Sequence, residues 1–101
     1  MAERSEQNIQ LWQHQLYSAF CQLSSPEETQ AFLSDLLSPR EIEEFARRLD
    51  VARMLRAGSS YIEVSQTTGA SSTTVSRVSK CLNGKTGGYR LVLERLDEAK
   101  Q

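Results

Sequence analysis

The residues best suited to chemistry in this chain are hydroxyls and cations gathered between positions 59 and 85. Eleven of the 21 residues from Ser59 to Ser79 are serine or threonine, and Arg77, Lys80 and Lys85 stand in or just after this run. No acid occurs from Val64 to Leu93. Serine and threonine are mediocre helix formers, so a purely structural helical hairpin would not favour them. Hydroxyls beside guanidinium and ammonium groups suit phosphate oxygens and base edges. The residue types of an enzyme do not converge in this way. His14 is the single histidine, Cys81 has no histidine near it in sequence and reads as an inward-facing small residue, and Glu41, Glu43 and Glu44 stand in the first turns of a helix, where negative charge suits the helix dipole. Catalysis needs a nucleophile with its base, paired acids or a metal cluster. The expectation is a non-enzymatic protein with no cofactor and no metal site.

A helix-turn-helix would present that cluster to a polyanion, and residues 61–80 read as one. Gly69 supplies a turn residue tolerant of positive φ, and Ser65 is small enough for a helix crossing. Val75 and Val78, three apart, form an inner pair, with Ile62 and Val64 expected to face the core from the first helix. Ser72, Thr73, Thr74, Ser76, Arg77 and Lys80 remain for the outside. An ordinary helical hairpin in a bundle fits the same spacing.

The rest of the chain also reads as helix punctuated by caps. Ser5 opens a first helix with Ile9, Trp12, Leu16, Phe20 and Leu23 on one face. Ser25-Pro26 with Glu28 is a capping box with proline at the first helical position, and Phe32, Leu33, Leu36 and Leu37 form the apolar face behind it. Ser38-Pro39 opens a longer helix to about Ala57, striped by Ile42, Phe45, Leu49, Ala52 and Leu55, with Gly58 as its C-cap. Tyr89, Val92, Leu93 and Leu96 pattern a last helix. No strand pattern appears, so the fold class is all-α with six helices. The 101 residues form one domain: two N-terminal helices for dimerisation over 1–37, a long central helix over 38–58, the helix-turn-helix over 61–82 and a C-terminal helix over 88–100.

Charge is unevenly distributed along the chain. Residues 1–46 carry two arginines against eight acids, net −6, and residues 47–101 carry ten Lys/Arg against five acids, net +5. A basic half invites nucleic acid and an acidic half does not, although two solvated faces of opposite bias would give the same numbers. No apolar run approaches the roughly 18 residues of a membrane span, and the N-terminus lacks a secretory pattern. Cys21 and Cys81, 60 positions apart, form neither a disulfide framework nor a zinc spacing. The expected compartment is the cytoplasm, with no membrane partner. Trp12, Phe20, Phe32 and Leu36 would make a thin core in one chain, which favours a homodimer that buries them twice over.

Leu37-Ser38-Pro39-Arg40-Glu41, Arg48, Met54-Leu55-Arg56-Ala57-Gly58 and Thr68-Gly69-Ala70-Ser71-Ser72-Thr73-Thr74-Val75-Ser76-Arg77 together resemble the Trp repressor family. Within it, Glu63 to Leu82 is most similar to the YerC/YecD-type Trp repressor-like proteins. The resemblance spans residues 10–97, with its most specific motifs between Leu37 and Asn83. It implies six helices, N-terminal helices that interlock with a second chain, and two recognition helices placed in successive major grooves. Double-stranded DNA is then the expected partner and transcription regulation, as a repressor, the expected function. Phosphates would fall to Arg53, Arg56, Lys80, Lys85 and the backbone amides near Ser71, and bases to Ser72, Thr73, Thr74 and Arg77.

The resemblance also implies a small-ligand site. The family's tryptophan clamp uses two arginines, a threonine before the long helix and a serine on the recognition helix. These positions correspond here to Arg48, Arg77, Ser38 and Cys81, and a glycine that makes room for the indole is replaced by Val78. Cysteine loses a strong acceptor for an ammonium, and valine fills the slot, so the expectation is regulation without tryptophan as co-repressor. Two alternatives stay open, a tryptophan-responsive repressor and a helical adaptor that binds protein instead of DNA. The adaptor would show an exposed apolar stripe on the last helix, where Leu91 lies beside Leu93.

Overall fold

A computed structural model describes residues 5–100. It contains six α-helices and, among the described residues, no strand: α1 (Glu6–Phe20), α2 (Pro26–Leu36), α3 (Pro39–Arg56), α4 (Tyr61–Thr68), α5 (Ser72–Leu82) and α6 (Gly88–Ala99). The chain divides into two compact units, Met1–Ser38 and Pro39–Gln101.

The helix starts follow from side-chain caps. Ser5, Ser25, Ser60 and Ser71 are all extended, and their Oγ atoms accept from the amides of Asn8, Glu28, Glu63 and Thr74 at 3.1–3.2 Å. Each cap satisfies an amide that the helix itself cannot. The return bond of Glu28 lands one residue earlier than a capping box requires: its carboxylate accepts from the Ser24 amide at 2.9 Å. At the other end of α3, Ser59 N–H donates to Met54 O at 3.0 Å and Gly58 N–H to Leu55 O at 3.1 Å. This is the paired pattern of a Schellman stop.

In the first unit, α1 and α2 meet through Phe20 and Phe32, whose rings lie edge to face with centroids 5.6 Å apart. Neither helix contains a buried residue. In the second unit, α3 packs against α4, α5 and α6. The core is Val51, Ala52, Val64, Ala70, Val75, Val78, Leu82 and Leu93, with Leu49, Met54, Leu55 and Tyr89 against it.

Two details differ from the periodicity. Val51, outside the expected stripe of α3, is fully buried, while Phe45 within it is exposed. A helix with three neighbours buries a wider arc than one stripe. Ile62, expected to face the core, is 70% exposed, and Val64 alone is buried on α4. Residues two apart on a helix point about 200° apart, so only one of them can face inward.

Candidate nucleic-acid interface

The turn between α4 and α5 is fixed by a short chain of hydrogen bonds. The Thr68 hydroxyl donates to Val64 O at 2.7 Å, and its Oγ1 accepts from the Ala70 amide at 3.2 Å. Gly69 between them has φ +73 and donates its N–H to Ser65 O at 2.9 Å. Glycine enters this left-handed region without the Cβ clash that other residues meet. Ala70 is buried, and Ser71 caps α5 while its hydroxyl donates to Thr74 Oγ1 at 3.1 Å. Val75, Val78 and Leu82 then form the inner face of α5.

The opposite face of α5 is open. Ser72, Thr73, Ser76, Arg77 and Lys80 are all exposed. Together with Tyr61, the first residue of α4, they line an open hollow of about 640 Å³. The first intrahelical amide bond of α5 is Val75 N–H to Ser71 O, at 3.0 Å, so the Ser72 and Thr73 amides precede the ladder at the positive end of the helix dipole. Hydroxyls, two cations, free amides and an aromatic ring thus share one acid-free surface. The chemistry of that surface is acceptance of anionic oxygens and of hydrogen-bonding base edges.

The abundance of hydroxyls has a second cause. Ser60, Thr68, Ser71 and Thr74 are engaged in caps and in the turn. Ser72, Thr73 and Ser76 are the ones displayed on the outer hollow.

The other expected phosphate contacts stand elsewhere. Arg53 Nη2 lies 2.7 Å from Asp50 Oδ1, and Arg56 Nη1 lies 2.9 Å from Asp97 Oδ2. These two arginines line a different hollow, between α3 and α6, that also includes Lys100. Lys85 is exposed in the turn between α5 and α6. Two residues of this region carry no local sequence signal. One is Tyr61, half exposed on the outer hollow. The other is Arg90 of α6, which donates from Nη1 to Leu82 O and from Nη2 to Gly84 O, the latter at 2.9 Å.

Arg48, Arg77 and Cys81 do come together. With Thr73, Thr74, Val78 and Tyr89 they line a more enclosed hollow of about 200 Å³. Arg48 also sits over the Phe45 ring, 5.5 Å from its centroid. Ser38, the fourth expected member, is the last residue of the other unit. Cys81 is exposed, which corrects its expected inward orientation. The buried stripe of α5 runs 75, 78, 82, and position 81 falls on its flank, where it borders the hollow. His14 is exposed on α1, Glu43 and Glu44 flank Arg47 at 3.6 and 3.7 Å, and no group of three potential metal ligands occurs among the described residues. No helix among the described residues is long and apolar enough to cross a membrane.

Comparison with known proteins places this architecture. The family model described as Trp repressor protein matches residues 10–97. The uncharacterised protein YerC of Bacillus subtilis (strain 168) is 42% identical over 86 residues, which cover 85% of this chain and 83% of that protein. Among solved structures, a TrpR-like protein from Eubacterium eligens is similar with TM-score 0.78 and 38% identity, over 83% of this chain and 87% of that one. A protein described as a candidate Trp repressor from Staphylococcus aureus is similar with TM-score 0.83 and 31% identity, over 95% of this chain and 96% of that one. The family is regulatory rather than enzymatic. With six helices, a glycine-turned hairpin over α4 and α5 and a family match across residues 10–97, the chain belongs to the Trp repressor family.

Proposed function

We propose that the protein is a homodimeric transcription regulator that binds double-stranded DNA through α4 and α5 and represses without tryptophan as co-repressor. The observation that carries this reading is the outer face of α5, with Ser72, Thr73, Ser76, Arg77 and Lys80 on one open hollow and no acid among them. Thr73 and Arg77 reach base edges, together with Ser72 and Thr74, while Lys80, Lys85 and the Ser71–Thr73 backbone hold phosphates. Arg53 and Arg56 contact phosphate only by leaving Asp50 and Asp97. The protein acts in the cytoplasm, where its DNA is.

Val78 supports independence from tryptophan. It is buried in the core and also borders the 200 Å³ hollow, which is smaller than the 300–1,000 Å³ usual for ligand pockets. Overpacking a site with valine in place of glycine costs about 1–3 kcal/mol. In this reading the valine fills the space a ligand would otherwise fill, and the recognition helix is in place without an effector.

Selection of bound fragments from genomic DNA, followed by fluorescence anisotropy, tests the reading. Thr73→Ala is expected to weaken binding to a selected fragment by about 1–3 kcal/mol while sparing non-specific DNA. Isothermal titration with millimolar L-tryptophan is expected to show no saturable binding, and Val78→Gly is the variant expected to gain it. Absence of DNA binding at low salt would transfer the function to the exposed Leu91, Val92 and Leu96 of α6, as the surface of a protein adaptor.

A further inference from the structure

The last carbonyls of α5 have no intrahelical donor and must be satisfied from outside the helix. Ser79 O accepts from the Asn83 amide at 3.1 Å and from Asn83 Nδ2 at 2.9 Å, and Cys81 O accepts from the Gly84 amide at 3.2 Å. Leu82 O is reached instead by Arg90 Nη1, eight residues on, and Arg90 Nη2 holds Gly84 O at 2.9 Å. One guanidinium thus spans the final carbonyl of α5 and the turn that follows it. Gly87, at φ +75, reverses the chain so that the first turn of α6 faces back toward α5, and Arg90 Nη2 stands 3.3 Å from where a Cβ on that glycine would be. The cation also lies at the negative end of the α5 dipole.

We propose that Arg90 is a positioning residue for DNA recognition: it clamps the C-terminal end of α5 from α6 and so fixes the orientation of Ser72, Thr73, Ser76 and Arg77 toward the groove. The proposal rests on the DNA-binding reading above. At the other end of α5, Ser71 and the Gly69 turn fix the helix from α4, so the recognition helix is held at both termini by different elements. A fork with two parallel donors suits two carbonyls, whereas a lysine ammonium is a single point charge on a flexible stem. Lysine keeps the charge at position 90 but not the fork, so the paired geometry is the property the proposal turns on.

Arg90→Met and Arg90→Lys in the full chain test this. Both are expected to lower affinity for a selected DNA fragment by about five- to thirtyfold. Both should leave non-specific binding and the salt dependence of binding unchanged, and both should speed amide hydrogen exchange at Asn83 and Gly84. Wild-type affinity in Arg90→Lys, with a reduced salt slope in Arg90→Met, would overturn the proposal in favour of a direct phosphate contact. A parallel fall of specific and non-specific binding, tracking the folded fraction in thermal melts, would overturn it in favour of fold stability alone. The exchange measurement needs no DNA. If the wild-type chain binds none, the DNA reading fails by itself, and unchanged exchange at Asn83 and Gly84 in both variants would remove the clamp as well.

Discussion

From Pro39 onward, four helices bury eight apolar side chains around Val51, Val64 and Val75, whereas α1 and α2 bury none. In that first unit Leu11, Trp12, Leu16, Tyr17, Phe20 and Leu36 are all exposed. The first unit is no poorer in apolar residues, 16 among residues 1–38 against 23 among residues 39–101, so the difference lies in partners rather than composition. Four helices can enclose a core. Two helices cannot, and large apolar side chains left in water mark a surface for association. In the proposed dimer a second copy covers them. Charge differs in the same sense: residues 1–38 carry one arginine against five acids, and residues 39–101 carry eleven Lys/Arg against eight acids.

Substitutions in the two units should therefore fail in different ways. The largest effect is expected from Val64→Asp, which buries an unpaired carboxylate and should cost about 4 kcal/mol or more. Circular dichroism should show loss of helix, not only of association. Next is Trp12→Ala with Phe20→Ala. These should leave most helix content in place but weaken dimerisation by about 2 kcal/mol or more per chain. Sedimentation should then move from about twice toward once the chain mass of 11.4 kDa. A wild-type chain that is monomeric and stable at micromolar concentration would break the comparison.

Within the second unit, Gly69→Ala has an expected cost of about 1–2 kcal/mol, because a Cβ would enter the left-handed region. No heavy atom lies within 4 Å of the added carbon, so the penalty belongs to the backbone alone, and a larger drop in thermal stability would contradict that account. Lys80→Ala is the mildest. Its fold should be unchanged, and it should flatten the slope of log affinity against log salt by about 0.9 per subunit. An unchanged slope would remove Lys80 from the phosphate contacts.

Much of this was legible in the sequence because the signals are local. A serine before an apolar-periodic run marks a cap, and Ser5, Ser25, Ser60 and Ser71 all act as such. Val75 and Val78, with Gly69 upstream, define the hairpin by spacing alone. What was not legible depends on neighbours. Ile62 and Val64 compete for one inward direction, and only the position of α5 decides it. Cys81 is as apolar as a core residue, but the stripe passes beside it. Val51 is buried because three helices surround α3. The clamp of Arg90 depends on carbonyls brought within reach by the turn at Gly87, and no sequence pattern connects positions 82, 84 and 90. The hydroxyl-rich run reads as a DNA surface, yet four of its eleven hydroxyl residues, Ser60, Thr68, Ser71 and Thr74, serve caps and the turn.

The central claim is that the outer face of α5 is the DNA-binding surface. Amide hydrogen exchange of the full chain, with and without a DNA fragment selected from the genomic pool, tests it most directly. The account predicts new protection concentrated over Ser71–Lys80 and at Tyr61. Binding with no added protection in that segment, or with protection confined to α6 around Leu91–Leu96, would contradict it.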